Sequence, residues 1–319
     1  MVFYVYFDPA VITAVEQGGE FALQCLIGVL RGFEANCLLA EYDDYFVQEA
    51  LKERLNNLQD DNARKDLKSL FATLGKRNRF AYCLESCGAS IELRVADAFL
   101  QGKRAELDLV LAANTTPHPN PDCIPACTLL TYNTTSFEQE RAAVANGGRT
   151  FAAGVRQELD FLDWTLRKAL KYSTTIHLYD RLFGQKFSGN FEYSAKTLLS
   201  WLEPFVDDPG QIKLHIHCGK PVGNTDHFIQ TQLASFRRGR LATMPITIQF
   251  YGATPGTEVL PHQRYLVTHQ VAIDLGRGLD FLDPQTHQNR SGKFSFARAD
   301  ELAAALKAIP ASTFSPITF

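Results

Sequence analysis

The sequence has no apolar run that approaches the roughly 18 residues of a membrane-spanning helix. Its first residues lack the basic segment and the small-residue cleavage site of a secretory signal, so we expect a cytoplasmic protein with no transmembrane segment. The sequence contains neither a G-x4-G-K-[ST] phosphate loop nor a G-x-S-x-G nucleophile motif. These absences argue against a membrane-embedded protein and against both of those active-site types.

Positive and negative charges almost balance, so the sequence has little net charge. The 319 residues have a formal net charge of −3 and are 45% hydrophobic, which excludes a disordered chain. Residues 1–150 contain 14 Lys and Arg against 20 Asp and Glu, whereas residues 151–319 contain 18 against 15, together with seven of the eight His. An acidic first half and a mildly basic, His-rich second half indicate two domains with different roles.

Strand-like and helix-like segments alternate along both halves, which predicts an α/β fold with mostly parallel sheets. We expect a first α/β domain over residues 1–150, a helical linker over 151–172 and a second α/β domain over 173–319. The predicted strands are residues 2–7, 36–41, 80–82, 107–113, 129–132, 175–179, 212–217, 246–251, 265–268 and 271–275.

The most informative motif lies in the last third of the chain. Six residues follow the spacing H-x-R-x4-H-x6-G-R-x2-D: His262, Arg264, His269, Gly276, Arg277 and Asp280. This spacing resembles the phospholipase D superfamily signature, H-x-K-x4-D-x6-G-S-x2-N. The resemblance implies a phospholipase D-like fold, with His262 as the catalytic nucleophile and Arg264, His269, Arg277 and Asp280 around the phosphate.

Residue types in this motif suit phosphate chemistry. A strand-borne His can attack a phosphodiester, and a cation two residues later lies on the same strand face, because side chains alternate along a strand. Arg264 could therefore hold the phosphate that His262 attacks. A second set of cations, Arg237, Arg238 and Arg240, would widen the phosphate surface. Phospholipase D-type enzymes use two His motifs and this chain has one, so either a homodimer supplies the second or the domain only binds.

A narrower resemblance covers residues 172–310. The phospholipase D-like C-terminal domain of MIT-domain cytokinesis proteins carries H-D-R and G-R-G-L-D stretches, similar to residues 262–264 and 276–280 here. It also has an early strand that ends in Asp, as at Asp180. The resemblance implies a basic surface that binds membranes rather than one that cleaves lipids.

Acidic residues in the first half indicate a second type of site. Asp8, Glu49 and Asp108 lie beside predicted strands or helices, with Glu41, Asp43 and Asp44 as rivals of Glu49. Carboxylates that meet at one sheet edge could bind Mg²⁺ or Mn²⁺ and activate water against a phosphodiester. The layout resembles a PIN-like nuclease domain over residues 1–150, in which Asn133 replaces the usual last acid.

Cysteine spacing offers a further candidate site. Cys83 and Cys87, and Cys123 and Cys127, form two C-x3-C pairs whose thiolates could bind a structural zinc ion, or behave as small apolar side chains.

Three functions follow from these patterns. The leading hypothesis is a metal-dependent nuclease that acts on RNA or DNA and also has a phospholipase D-like phosphate-binding domain. This architecture resembles bacterial defence or toxin effectors, so we expect a protein partner that regulates it. The second is a non-catalytic module that binds anionic lipid, nucleic acid or a protein. The third is a metal-free phosphodiesterase in which a dimer brings two His262 together.

Overall fold

Two units make up the chain: Val2–Asn146 and Gly147–Phe319, to which Met1 is also assigned. We call them the first and the second unit and describe each by itself. The computed structural model describes residues 2–86, 91–114, 124–151, 168–171, 173–181, 198–199, 202–203, 212–220, 230–231, 235, 242–252, 260–276, 292–297, 302 and 306–318.

A parallel five-stranded sheet forms the centre of the first unit, in the order β3-β2-β1-β4-β5. Every residue of β1, β2 and β4 is buried, as expected for parallel strands that are covered on both faces. The strands are β1 (Phe3–Phe7), β2 (Cys37–Tyr42), β3 (Phe80–Leu84), β4 (Leu109–Leu111) and β5 (Ala126–Cys127).

Helices alternate with these strands along the chain. The first helix has a break at Gly19, whose φ of 65° suits a residue without a Cβ. Asp60 caps the third helix, because its carboxylate accepts the N–H groups of Asn62 and Ala63. The helices are α1 (Val11–Asn36), α2 (Phe46–Asn57), α3 (Asp61–Lys76), α4 (Ile91–Ala105) and α5 (Ser136–Gly147), with a 3-10 turn at Tyr132–Thr134.

An eight-stranded mixed sheet organises the second unit, in the order β13-β9-β8-β7-β10-β11-β12-β6. Strands β7, β8 and β9 are parallel, and the remaining pairs are antiparallel. The strands are β6 (Arg149–Phe151), β7 (Thr175–Tyr179), β8 (Lys213–Gly219), β9 (Ile246–Tyr251), β10 (Arg264–Thr268), β11 (Ala272–Gly276), β12 (Gly292–Ala297) and β13 (Ile317–Thr318).

The parallel part of this sheet has two unlike faces. Buried and half-buried residues alternate along β7 and through most of β8 and β9. Apolar side chains occupy the buried face, while the other face carries histidine, tyrosine, threonine and glutamine. One face therefore forms a core, and the other presents polar and aromatic side chains that remain partly accessible.

The α/β class predicted from the sequence is confirmed, with a parallel sheet and a mixed sheet. The chain divides after Asn146, and residues 149–151 pair with β12 of the second sheet, so the second unit begins before the expected linker. The predicted linker lies mostly outside the described residues, which resume at 168. The strand predicted over residues 129–132 was wrong: this segment is a turn that leads into the 3-10 helix, and the strand is Ala126–Cys127.

Candidate functional site

Basic residues follow the ends of the parallel strands of the second sheet. Arg181 comes just after β7, and Lys220 comes directly after β8. Backbone hydrogen bonds continue the sheet past the strand ends, because Gly219 N–H donates to the Arg181 carbonyl (3.1 Å) and Lys220 N–H to that of Tyr251 (2.9 Å). The sheet itself therefore positions these two half-exposed cations.

Strand β10 runs antiparallel to β7, so it begins at the same edge. This brings His262 beside Arg181 and Arg264 beside Asp180. We call Arg181, Lys220 and His262 the basic edge. Carboxyl ends of parallel strands are where open α/β sheets commonly bind their ligands.

Arg264 itself is already engaged within the protein. Its Nε donates to Asp180 Oδ1 at 3.0 Å and its Nη1 to the Gly276 carbonyl at 3.1 Å. The side chains of Arg264 and Asp180 are only 17% and 10% exposed. Arg264 therefore ties the end of β11 to the end of β7, and its predicted contact with a phosphate stays a prediction.

His262 is exposed, and its Nδ1 lies 3.0 Å from Nη2 of Arg181. A guanidinium can only donate, so Nδ1 accepts and the ring proton of the neutral imidazole resides on Nε2. Nucleophilic attack through Nε2 would need the opposite tautomer. In this arrangement Nε2 of His262 presents an N–H donor to a ligand, and its role as a nucleophile stays a prediction.

The other motif residues do not join this edge. His269 lies in the turn between β10 and β11, at the far end of β10 from His262. Arg277, Asp280, Arg237, Arg238 and Arg240 lie outside the described residues.

A row of imidazoles was missed as a site in the sequence. His177 on β7 pairs in register with His215 on β8, and His217 follows two residues later on the same face. Ring centroids are 4.8 Å apart for His177 and His215, 5.3 Å for His177 and His217, and 4.2 Å for Tyr179 and His217. We call His177, His215 and His217 the histidine row. The signal was the alternating K-L-H-I-H of β8, but the partner strand could not be known from sequence.

Hydrogen bonds connect the histidine row to Tyr251. His177 Nδ1 lies 3.0 Å from His217 Nε2, and His217 Nδ1 lies 3.2 Å from the Tyr251 hydroxyl. Burial lowers the pKa of His177 to about 4 and that of His217 to about 3, and neighbouring imidazoles add to both effects. Burial and the nearby Lys213 also lower the pKa of His215. The first two rings, at least, are neutral at pH 7.

The three acids predicted to form a metal site do not meet. Asp8 follows the carboxyl end of β1, whereas Asp108 precedes β4 at the opposite end of the sheet, where it accepts the Tyr4 N–H at 2.7 Å. Glu49 is a surface residue of α2, 70% exposed and 3.6 Å from Lys52. The expected triad is therefore wrong, because Asp108 opens its strand rather than closing it.

Two acids at the carboxyl edge of the first sheet have structural partners. Asp8 is buried and accepts the N–H groups of Ala10 (2.9 Å) and Ala113 (3.1 Å). Glu41, one of the rivals of Glu49, is fully buried and accepts the N–H groups of Tyr42, Val47 and Gln48 at 2.8 to 2.9 Å. Burial raises the pKa of Glu41, although these three donors act in the other direction.

Metal sites expected from the sequence are not assembled in the described part of the chain, where no three His, Cys, Asp or Glu side chains converge on a metal-sized space. Cys83 lies in β3 and Cys127 in β5, at the two outer edges of the sheet. Four strand spacings put them about 19 Å apart, so they cannot share a zinc ion. Cys87 and Cys123 lie outside the described residues.

None of the helices in the described segments combines the length and the hydropathy that a membrane crossing requires. Comparison with protein-family models, with curated proteins and with solved structures finds no match to the chain.

Proposed function

We propose that this protein binds the phosphodiester backbone of a nucleic acid at the basic edge of the second unit. The observation that carries the proposal is the contact between Arg181 and His262, which orients an imidazole N–H donor beside a guanidinium. Asp180 forms an ion pair with Arg264, so the charge of Arg264 is offset within the protein. Two cations and a neutral donor suit phosphate oxygens.

A nucleic acid fits this edge better than a membrane surface. Membrane-binding surfaces combine cations with exposed apolar or aromatic side chains that enter the lipid. Among the described residues, the exposed large side chains of this kind are Phe21, Tyr45, Tyr82, Leu100 and Leu130, all in the first unit. Phe314 places its ring centroid 4.7 Å from the Lys220 ammonium group, but this ring is half-buried and not exposed.

Fluorescence anisotropy with labelled single-stranded RNA and DNA tests the proposal. Replacing both Arg181 and Lys220 by Gln should weaken binding at least about 100-fold, since each charge-assisted hydrogen bond contributes about 1.5 kcal/mol or more. The dependence of log K on log salt should flatten by about 1.4, which corresponds to two fewer phosphate contacts.

A matched control removes the same charge elsewhere. Lys65 and Lys68 are exposed on α3 of the first unit, and replacing both by Gln should leave affinity and salt dependence unchanged. Equal binding by wild type and the Arg181/Lys220 variant would refute the proposal. So would binding of phosphatidylserine vesicles without binding of either oligonucleotide.

The position of Asp8 favours metal-dependent cleavage in the first unit as a second candidate function. Asp8 follows the central strand β1, beside β4, where the order β3-β2-β1-β4-β5 changes direction. Such switch points are common ligand sites in α/β sheets. In this second candidate Asp8 would bind Mg²⁺ or Mn²⁺, and Glu49 and Asp108 would take no part.

Incubating the same oligonucleotides with Mn²⁺ or with EDTA tests this second candidate. Asp8→Asn retains a side-chain oxygen for one of the two backbone donors, and it should reduce any Mn²⁺-dependent cleavage at least about 100-fold. Glu49→Gln serves as the control and should cleave like wild type. Cleavage that persists in EDTA or in Asp8→Asn would contradict a metal site at Asp8.

A further inference from the structure

The histidine row places three potential metal ligands on two adjacent strands. Residues two apart on a strand share a face, so His215 and His217 project together from β8, and His177 projects beside them from β7. All three side chains are half-buried on the polar face of the sheet. Imidazole nitrogen is a preferred ligand of late first-row transition ions.

Two of the imidazoles already have nitrogens aimed at each other. His177 Nδ1 and His217 Nε2 are 3.0 Å apart, so one of them donates its N–H to the other. A tetrahedral metal with bonds of about 2.0 Å to each would set these nitrogens about 3.3 Å apart. A metal ion can therefore take the place of this proton after only a small shift, and the donor ring then carries its proton on its other nitrogen, so both rings stay neutral and no net proton is released.

The surroundings of the row orient its rings. The Tyr251 hydroxyl, 3.2 Å from the other ring nitrogen of His217, fixes the orientation of that ring. Such outer partners of a liganding histidine typically strengthen metal binding.

We propose that His177, His217 and His215 bind a divalent late first-row transition ion such as Zn²⁺ on the polar face of the second sheet. His215 stacks on His177 at a centroid distance of 4.8 Å with an interplanar angle of 14°, so its ring must turn about its side-chain torsions to supply the third nitrogen. The site therefore requires this turn, because the three side chains do not converge as the structure describes them. The fourth position stays open to water or a ligand, and the inference is independent of the proposed nucleic-acid binding.

Titration of the chelator-treated full chain with Co²⁺, and competition with Zn²⁺, tests the inference. Wild type should bind one equivalent, with visible d–d absorption that Zn²⁺ abolishes, and Zn²⁺ should raise its thermal transition. His177→Gln and His217→Gln should bind more than about 100-fold more weakly, and Tyr251→Phe about 10-fold to 100-fold more weakly.

His269→Gln is the matched control, because this exposed histidine lies in a turn between β10 and β11, and it should bind Co²⁺ like wild type. Far-UV circular dichroism checks that each variant is folded. If the histidine variants do not fold, the Co²⁺ affinity of Tyr251→Phe decides whether the site exists. No visible cobalt absorption in wild type, or affinity unchanged in Tyr251→Phe and in the folded histidine variants, would overturn the site.

Discussion

Replacing Arg264 by Met should lower the free energy of unfolding of the second unit by about 3–5 kcal/mol. The substitution leaves the carboxylate of Asp180 charged at 10% exposure and deprives the Gly276 carbonyl of its donor. Removal of one partner from a buried ion pair is costly because the other charge stays desolvated. Urea unfolding followed by tryptophan fluorescence measures the effect, since Trp164 and Trp201, the two tryptophans of the sequence, both belong to the second unit.

The double variant Arg264→Met, Asp180→Leu separates the pair from its individual charges. It removes both ions together and should recover most of the lost stability, since an apolar pair of similar volume can replace a buried ion pair at little cost. A loss below about 1 kcal/mol in the single variant would show that the pair behaves as a solvated surface contact.

Replacing Glu41 by Ala should destabilise the first unit by about 3 kcal/mol or more, as each buried backbone donor left without an acceptor costs about 1–3 kcal/mol. The buried carboxylate accepts three backbone N–H groups, two of them at the start of α2. Far-UV circular dichroism during urea unfolding measures this loss. Tryptophan fluorescence, which reports the second unit, gives an internal reference.

Glu41→Gln is the graded comparison for this prediction. One oxygen of Glu41 accepts from the N–H groups of Tyr42 and Val47, and the other accepts from the Gln48 N–H. In Glu41→Gln the amide oxygen can keep the bonds from Tyr42 and Val47, but the amide NH2 group then faces the Gln48 N–H, and two donors cannot bond to each other. Its loss should lie between wild type and Glu41→Ala. Glu49→Gln, on the exposed face of the same helix, should stay within about 0.5 kcal/mol of wild type. Equal stability of Glu41→Ala and Glu49→Gln would contradict the capping role.

The sequence was a good guide where hydrophobic pattern alone decides structure. The alternation in residues 175–179 and 212–217 reflects a sheet with one buried face, and these segments form β7 and much of β8. The continuous apolar run near the start forms β1, which is buried on both faces. The α/β class followed from such segments.

Site geometry was less predictable because it depends on strand direction and long-range pairing. Asp108 stands next to a correctly predicted strand but at its amino end, and this difference separates it from Asp8. The sequence could not show that Arg264 pairs with Asp180, because Asp180 lies 84 residues earlier in the chain. The histidine row likewise required the register of β7 against β8.

Strand β6 has a practical consequence for separating the units. Helix α5 ends at Gly147 and β6 begins at Arg149, where it pairs with β12 at the border of the second sheet. Between them, Gly148 has a φ of +67°, and a Cβ there would lie 2.2 Å from the Phe294 carbonyl oxygen. A protein that begins at residue 173 would lack β6 and expose the backbone of β12 as an open sheet border. Such borders recruit other chains, so expression from residue 147 should yield monomers where expression from 173 favours aggregates.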